Sequence, residues 1–372
     1  MGEPRYAELG FYALPGHALE PSDVFDEISS GDLLGLGSVW ISERHNTKDI
    51  GVMSGIAAAT TKNMGIASGL ISQLPLRHPL VVAGYGSTMA TITNQRFALG
   101  IGRGVDKIAD KTGTPRVHFQ LLADYINILR RLWRGEAVDY EGPAGVLKNV
   151  ALGFELERVP PIIMAAMGSR TCHWAGQHCD GVVFNSLWTE KAISAAALQV
   201  RRGAEDAGRD PNAVRIWTVQ VTACEVSEED FLSSVVRRMN TYVLFPPMMS
   251  AVCEANGWDP AIVDRVRSKL VEIDGTQRAG IGGDENTSRD IEALRSIRRL
   301  YPDEWINDGN AVGTAHECAR ATRARLDAGA DGVLFHGSPP NKLAPLLKLW
   351  PQYRLTGGVK HTSVNPGVAG RA

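Results

Sequence analysis

Two stretches of the chain nearly repeat one another: C-D-G-V-V-F-N at residues 179–185 and A-D-G-V-L-F-H at residues 330–336. Each is a short apolar run of the length and composition of a buried strand. Each also follows a predicted helix that opens on a glycine and a hydroxyl residue, Gly168-Ser169 in the first copy and Gly313-Thr314 in the second. A helix followed by the same buried strand, twice in one chain, indicates a quasi-repeated α/β architecture.

Strands of this kind alternate with helices along most of the chain. Their apolar residues run consecutively, which is typical of a parallel sheet that is covered on both faces. We predict eight strands, near residues 8–14, 39–42, 64–69, 97–102, 161–166, 181–185, 215–223 and 332–336. Eight such units in one chain predict a closed (β/α)8 TIM barrel.

The predicted barrel is a single domain, residues 1–354, with a helical insertion at residues 225–310 after strand seven. The insertion is too long for a simple crossover between strands and is mixed in polarity. The last segment, residues 355–372, has no periodicity and is rich in glycine and small polar residues. We therefore predict a flexible C-terminal tail.

Composition excludes several classes of partner. Of 372 residues, 44% are hydrophobic and 22% are charged, and the formal net charge is -2, which gives no sign of a nucleic-acid surface. No apolar run reaches the ~18 residues of a membrane span, and the polar N-terminus has no apolar core of a signal peptide. The five cysteines are scattered and odd in number. They are typical of reduced thiols, so we expect a cytoplasmic protein.

The end of strand four, G-I-G-R-G-V-D at residues 100–106, is rich in glycine around Arg103. A dinucleotide-binding turn would need a helix at once and an acid at the end of the next strand, whereas Asp124 falls within a predicted helix. The glycines better fit a backbone that approaches a flat ligand closely, with Arg103 for a phosphate. The alternative is a glycine-rich turn with a solvated arginine.

A second phosphate position follows strand five. Gly168-Ser169-Arg170 begins a helix directly after that strand, where backbone N–H groups and the helix dipole favour an anion. A plain helix cap is an equal alternative.

The end of strand two, S-V-W-I-S-E-R-H-N at residues 38–46, places Glu43, Arg44 and His45 after a buried run. Such a cluster is either a catalytic corner, a ligand clamp, or a salt-bridged pair at the barrel rim. No histidine pair in the chain has metal-ligand spacing with a nearby acid, so we predict no metal site.

These strand ends together resemble the bacterial luciferase-like family of flavin and deazaflavin oxidoreductases, over roughly residues 6–350. The most specific stretch is R-F-A-L-G-I-G-R-G at residues 96–104. In S-G-L-I-S at residues 68–72, the resemblance implies a non-prolyl cis peptide at Gly69-Leu70, behind the cofactor ring. The cofactor-binding residues that it implies are Ser68, Gly69, Leu70, Gly102, Arg103, Gly104, Asp106, Met167, Gly168, Ser169 and Arg170.

The chain departs from the family at strand two, where the family's catalytic-type histidine falls on Arg44 and the imidazole comes one residue later. Neighbours on an extended segment point in opposite directions, so Arg44 is expected to face the cofactor instead of His45. An arginine is a poor proton donor at neutral pH but a good anchor for a phosphate or an anionic substrate. Glu43, Arg44 and His45 are therefore the predicted catalytic set, with Glu43 orienting Arg44.

The resemblance implies an oxidoreductase that uses the deazaflavin coenzyme F420 and passes a hydride to or from a small organic substrate. One alternative is an FMN-dependent monooxygenase that uses FMNH2 and O2 with a partner reductase, since no NAD(P)H fingerprint is present. Others are a flavin- or deazaflavin-binding protein without turnover, and an unrelated barrel that binds a sugar phosphate.

Family members are commonly homodimers, which we expect here, with a flavin or deazaflavin reductase as functional partner. The substrate pocket would be built by Tyr12, residues 104–114 and the insertion.

Overall fold

The structure, a computed structural model, describes residues 4–14, 20–44, 48–274, 289–354 and 364–368. Its strands are β1 (Tyr6–Tyr12), β2 (Leu36–Ile41), β3 (Gly65–Ser68), β4 (Phe97–Ile101), β5 (Val138–Gly142), β6 (Gly145–Val150), β7 (Ile162–Ala166), β8 (Gly181–Phe184), β9 (Arg215–Cys224), β10 (Ala311–Gly313) and β11 (Gly332–His336).

The helices lie between these strands. They are α1 (Val24–Leu33), α2 (Ile50–Thr60), α3 (Pro79–Ile92), α4 (Asp106–Thr112), α5 (Phe119–Trp133), α6 (Ser169–His178), α7 (Glu190–Asp206), α8 (Glu228–Phe231), α9 (Arg237–Val243), α10 (Pro246–Asn256), α11 (Pro260–Asp274), α12 (Ile291–Arg298), α13 (Asp303–Gly309), α14 (Ala315–Asp327) and α15 (Ala344–Leu349). Short 3-10 turns cover Pro21–Asp23, Leu74–Leu76, Pro211–Ala213, Pro340–Leu343 and Trp350–Gln352. A π-helical turn, Leu232–Val236, joins α8 to α9.

Eight parallel strands close on themselves in the order β1-β2-β3-β4-β7-β8-β9-β11. The ring is completed because β1 pairs with β2 on one side, Gly10 opposite Ser38, and with β11 on the other, Leu9 opposite Val333. This confirms the predicted TIM barrel, and each predicted strand corresponds to one barrel strand. Between β4 and β7 the chain also forms the antiparallel pair β5–β6, outside the barrel.

Large and small side chains alternate in the barrel interior. Trp40 and Trp217 meet there with ring centroids 5.6 Å apart, and Ala67 and Ala98 lie in the same buried cluster. A methyl group added at Gly332 would lie 2.3 Å from the Trp217 ring, so the repeated strand needs glycine at this position. The barrel is thus a packed core below an open upper end.

The helices around the barrel follow the apolar stripes in the sequence. On α5, Leu122, Leu129 and Trp133 are fully buried, and the Trp133 indole N–H donates to Ala83 O at 2.9 Å. Helix α14 begins with a capping box, in which Thr314 and Glu317 each bond to the other's backbone. Within the described residues, no helix is both long and apolar enough to cross a membrane.

The described part of the insertion is helical. It runs from α8 to α13 and returns to the barrel through β10, which extends the sheet beside β9 with Ala311 opposite Thr222. All five cysteines are buried and without disulfides.

Five residues of the predicted flexible tail are instead packed against the lower end of the barrel. Asn365 donates through Nδ2 to Gln95 O at 2.9 Å and Phe97 O at 2.6 Å, and its Oδ1 accepts from Gly367 N at 2.9 Å. Pro366 O accepts from the Trp217 indole at 2.8 Å. Polar residues looked like solvated chain in the sequence, but here they satisfy strand-end carbonyl groups that would otherwise be buried alone.

This packing makes Asn365 a structural residue. Asn365→Ala should lower the free energy of unfolding by about 2 kcal/mol, because it leaves buried carbonyl groups without donors. Denaturant unfolding measures the effect. Asn212→Ala, at an exposed position, is the control and should change it by less than about 0.5 kcal/mol. Equal values for the two variants would show that the tail is not held in this way.

Candidate active site

A cavity of about 1080 Å3 opens at the carboxyl ends of the barrel strands. The strand ends supply its floor and walls, and the insertion covers it with mostly apolar residues. The lining residues from the strand ends include Tyr12, Ser42, Arg44, Gly69, Leu70, Gly102, Arg103, Gly104, Met167, Asn185 and His336. Those from the insertion include Arg238, Leu244, Phe245, Pro246, Pro247, Met248 and Arg267. Of the predicted set, Arg44, Gly69, Leu70, Gly102, Arg103, Gly104, Asp106 and Met167 line this cavity.

The Gly69-Leu70 peptide lies in the cavity wall and is cis, as the resemblance implies. Gly69 N donates to Ile41 O at 2.6 Å, and Leu70 O accepts from Glu43 N at 3.3 Å. Ser68 does not line the cavity. It is fully buried and bonds through Oγ to the backbone of Gly100, with Gly100 N donating to it at 2.6 Å.

Gly104 lies where the wall bends beside Arg103. Its φ is +70°, and an added methyl group would lie 1.9 Å from the Gln73 Oε1 atom. A side chain is therefore excluded both by backbone conformation and by contact. Gln73 Nε2 donates to Val105 O at 2.9 Å and so fixes the turn.

Two arginines converge on one aromatic ring at this side of the cavity. The guanidinium carbons of Arg103 and Arg170 lie 5.3 Å and 5.8 Å from the centre of the Phe119 ring. Both side chains are exposed, and neither is in a hydrogen bond or ion pair with any residue that the structure describes. We call Arg103, Arg170 and the start of α6 the β4–β7 side of the cavity. Two available cations at one place are suited to a phosphate.

The start of α6 adds to this positive field. Gly168 precedes the helix with φ +78° and no side chain caps the helix N-terminus. Gly168, Ser169 and Arg170 stand just outside the cavity lining, between the lining residues Met167 and Thr171. The unbonded N–H groups of the first turn and the helix dipole favour an anion there.

The charge of the whole lining is strongly positive. Six of the described lining side chains are cationic: Arg44, Arg103, Lys107, Lys111, Arg238 and Arg267. Among the same residues, Asp106 alone carries a carboxylate. The cavity is thus built for a ligand that carries negative charge.

Glu43 does not lie on the cavity wall. Its buried carboxylate accepts from Arg77 Nη2 at 2.6 Å and Nε at 2.9 Å, and Arg77 also pairs with Asp49 at 3.0 Å. The sequence-based expectation that Glu43 orients Arg44 is therefore corrected, because a more distant arginine takes the carboxylate. Glu43 holds the chain behind Leu70 instead.

Arg44 does line the cavity, half-buried. Its backbone forms a two-way bridge with Lys48, with N–O distances of 3.1 Å and 2.8 Å, and its Nη1 donates to Glu43 O at 3.3 Å. The buried Lys48 ammonium donates to Ala13 O at 2.9 Å, which ties this loop to the end of β1. His45 lies outside the described residues.

The structure brings two rings together on the opposite side of the barrel. Tyr12 and His336, both buried, have ring centroids 5.6 Å apart. Burial raises the pKa of Tyr12, while the charges of Arg238 and Arg44 act to lower it. We call Tyr12, Arg44 and His336 the β11–β1–β2 side of the cavity.

Sequence reasoning missed His336, Asn185 and Arg238. Asn185 and His336 are the last residues of the two repeated stretches, and both line the cavity. That shared position in the repeat is a signal that could have identified them. Arg238 carried no such signal, because it reaches the cavity from a helix of the insertion.

A substitution at Glu43 tests whether the role of this residue is structural. Glu43→Gln should lower the free energy of unfolding by about 2 kcal/mol, since it removes a buried, charge-assisted contact to Arg77. The matched control is Glu272→Gln, in the exposed pair with Lys269, where we expect less than about 0.5 kcal/mol. Thermal and denaturant unfolding measure both. Unchanged stability of the Glu43 variant would argue against this structural role.

Comparison with known proteins identifies relatives of similar sequence and fold. A curated relative, the 5,10-methylenetetrahydromethanopterin reductase of Methanolobus tindarius, is 25% identical over 311 residues, which span 83% of this chain and 88% of that protein. The solved coenzyme F420-dependent tetrahydromethanopterin reductase of Methanopyrus kandleri shares the fold with a TM-score of 0.74 and 19% identity, over 94% of this chain and 100% of that one.

A solved structure with a different cofactor has the same fold. The oxygenating constituent of 3,6-diketocamphane monooxygenase of Pseudomonas putida, in complex with FMN, superposes with a TM-score of 0.63 and 17% identity, over 98% of this chain and 99% of that one. The luciferase-like monooxygenase family matches residues 13–332, most of the barrel and its insertion. The chain therefore belongs to the luciferase-like monooxygenase family.

Proposed function

We propose that the chain is an oxidoreductase that binds coenzyme F420 in this cavity and transfers a hydride between it and a small organic substrate. The observation that carries the proposal is the cavity itself, which has an arginine pair at its β4–β7 side and the apolar residues Leu70, Val183 and Val219 in its wall. The F420-dependent enzyme with the same fold supports the choice of cofactor.

The residues present fit the phosphate and the flat ring of a deazaflavin. Arg103, Arg170 and the first turn of α6 would hold its phosphate by charge-assisted hydrogen bonds. Leu70, Val183 and Val219 offer an apolar surface to a flat ring. When bound, the cofactor supplies the hydride, and the chain supplies binding, orientation and a dry environment.

His336 would hold the proton that accompanies the hydride. It is the one imidazole among the described lining residues, and histidine is the side chain that exchanges protons most readily near neutral pH. Tyr12 packs against it, while Arg44 keeps its charge and cannot donate a proton usefully. The apolar residues Phe245 to Met248 would exclude water from this reaction.

FMN is the second candidate cofactor, since the FMN-bound neighbour shares the fold and FMN presents the same ring shape and ribityl phosphate. In that case the chain would be a monooxygenase using FMNH2 and O2, and it would depend on a partner reductase.

A binding titration tests the cofactor. Coenzyme F420, FMN and NADPH are titrated against the chain through tryptophan fluorescence, with Trp174 stacked on Phe119 at 5.2 Å as a reporter. We expect F420 to bind most tightly, and Arg103→Gln to weaken FMN about tenfold or more while leaving riboflavin, which lacks the phosphate, unchanged. Preference for FMN would favour the monooxygenase, and binding of none would refute the proposal.

Turnover tests the hydride transfer and His336 together. Reduced F420 is mixed with a panel of enones and imines, and its oxidation is followed by absorbance. For an acceptor that reacts, His336→Asn should bind F420 as the parent does yet react at least about a hundredfold more slowly. Equal rates would remove His336 from proton transfer. Tight F420 binding with no acceptor would favour a carrier.

We also propose that the chain forms a homodimer through the outer face of α2 and α3. Val52, Val81 and Ile92 are 60%, 56% and 58% exposed on these adjacent helices. Gly55 and Gly84 on the same helices have open space beside them, which permits close approach of another helix.

Light scattering during gel filtration tests the dimer. The parent chain should have twice the mass of one chain, and Val81→Glu should shift it toward the monomer, because a charge cannot be buried in an apolar interface at low cost. Leu33→Glu, at an exposed leucine on α1, should leave the mass unchanged. A monomeric parent chain would refute the dimer.

A further inference from the structure

The side chain of Asn185 stands at the upper rim of the barrel, at the end of the first repeated strand. It follows β8 directly, half-buried, and lines the cavity together with Val183, two positions earlier. Alternate residues of an extended chain point the same way, so the amide continues the face of Val183 toward the open end. In the strand order, β8 lies between the β4–β7 side and the β11–β1–β2 side of the cavity.

The orientation of the Asn185 amide is fixed by a group that can only donate. Ser186 N donates to Asn185 Oδ1 at 3.2 Å, and the hydroxyl of Tyr242 donates to the same atom. Because a backbone N–H group has no lone pair to offer, the amide atom that faces Ser186 N is the carbonyl oxygen. The other atom, Nδ2, therefore carries the two N–H donors of the amide.

Tyr242 is held in place in its turn by two residues. Its hydroxyl lies 2.9 Å from Ser186 Oγ, which accepts from Arg238 Nε at 3.3 Å, and the Arg238 guanidinium carbon lies 5.1 Å from the centre of the Tyr242 ring. Tyr242 gives its one hydroxyl hydrogen to Asn185, so Ser186 donates to Tyr242 and the bonds all run in one direction. Ser186 and Tyr242 are fully buried. This network orients the amide before any ligand binds.

The Nδ2 atom has only a poor acceptor in the part of the chain that the structure describes. It donates to the thioether sulfur of Met167 at 3.0 Å, and no other acceptor for it occurs among those residues. A thioether is a weak acceptor, and the amide has a second N–H group. Met167 also lines the cavity, so Nδ2 lies between two lining residues. A ligand oxygen at this place would form a stronger hydrogen bond than the protein itself supplies.

The cover of the cavity is continuous with this network. Arg238 and Tyr242 belong to α9, and the chain runs on from α9 into Leu244 and Phe245, which line the cavity. These apolar side chains would pack against a carbon skeleton. We propose that the substrate of the proposed oxidoreductase is a carbonyl compound, whose oxygen accepts a hydrogen bond from Asn185 Nδ2 with its carbon skeleton beneath the insertion.

This inference deepens the proposed function and rests on it for the role of the ligand as substrate. In the reduction of a carbonyl group, the hydride forms a new bond to the carbonyl carbon and the π electron pair of C=O moves to the oxygen, which then takes up a proton. The cofactor is oxidised and the carbonyl compound becomes an alcohol. A donor that is already oriented stabilises the negative charge that develops on the oxygen. Asn185 would thus favour carbonyl compounds over alkenes of the same shape.

Recognition of the carbonyl group is measured without turnover. The probes are pairs of nearly equal shape, in which a methylene group replaces the oxygen: cyclohexanone with methylenecyclohexane, and acetophenone with α-methylstyrene. Each is titrated by calorimetry against the free chain and against the chain loaded with oxidised F420. Asn185→Asp keeps the acceptor for Ser186 N and Tyr242 but loses the donor, so the ketone-to-alkene ratio of affinities should fall about tenfold or more. Asn212→Asp, at an exposed position, should leave this ratio unchanged.

Infrared spectroscopy detects the hydrogen bond itself. Acetophenone is isotope-labelled at its carbonyl carbon, which separates its C=O stretch from those of the chain and the cofactor. A hydrogen bond lowers the frequency of this stretch, so we expect a lower frequency in the parent chain than in Asn185→Asp. Tyr242→Phe, which removes one of the donors that orient the amide, should give a frequency between the two.

A neutral variant separates the substrate from the cofactor, because the ring of the cofactor also carries carbonyl oxygens. Asn185→Leu removes the donor without adding a charge that would repel a phosphate. It should bind F420 as the parent does and lose the preference for ketones. If it binds F420 at least about tenfold more weakly and keeps that preference, the amide binds the cofactor and the carbonyl proposal is wrong.

The two proposals fail in different ways. If F420 does not bind but the free chain prefers ketones through Asn185, the cofactor assignment fails and the carbonyl site stands. If F420 binds and neither ketone binds, the carbonyl proposal is wrong. It is equally wrong if the ketone preference and the infrared frequency are the same in the parent and in Asn185→Asp. Thermal unfolding close to that of the parent shows that the variants remain folded.

Discussion

The structure depends on the pairing of β1 with both β2 and β11, which closes a sheet of parallel strands. In a closed parallel barrel every strand ends at the same rim, so residues hundreds of positions apart become neighbours. Tyr12 and His336 are the clearest case, since their rings meet although they stand at the two ends of the barrel sequence. The helices and the insertion can then vary without moving the strand ends.

The lower end of the barrel is closed by packed side chains, whereas its upper end is open. At the lower end, the buried Arg215 lies over the Trp217 ring at 4.4 Å and donates to Ala7 O at 3.2 Å, while Asn365 and Pro366 complete the closure. Burial lowers the pKa of Arg215 to about 10. At the upper end, the cationic side chains surround open space. A sealed lower end gives the rigidity that an open upper end requires.

The sequence was sufficient for the fold and for part of the site. Consecutive apolar runs and a repeated strand indicate the barrel because a strand that is buried on both faces has a local apolar pattern. The glycines at strand four indicate close backbone approach, which is also visible in the local sequence. The partner of Glu43 was not predictable, because the Arg77 contact spans 34 positions and no periodicity relates them. Asn365 and Arg238 were not predicted for the same reason. Each acts through tertiary contacts, and the local sequence around it has no pattern that indicates them.

Arg44 stands at the position where the resemblance implies a catalytic histidine. A histidine at the end of strand two could both carry charge and exchange a proton, whereas arginine retains its charge at any physiological pH. The charge is therefore permanent at Arg44, so a proton that accompanies the proposed hydride transfer would be exchanged by another group on the same rim. His336 stands on the other side of Tyr12 from β2, at the end of the adjacent strand β11. With a fixed cation at Arg44 and a separate imidazole at His336, on either side of Tyr12, the site would bind an anion and move a proton independently. A single histidine cannot do both independently, because its protonation changes its charge.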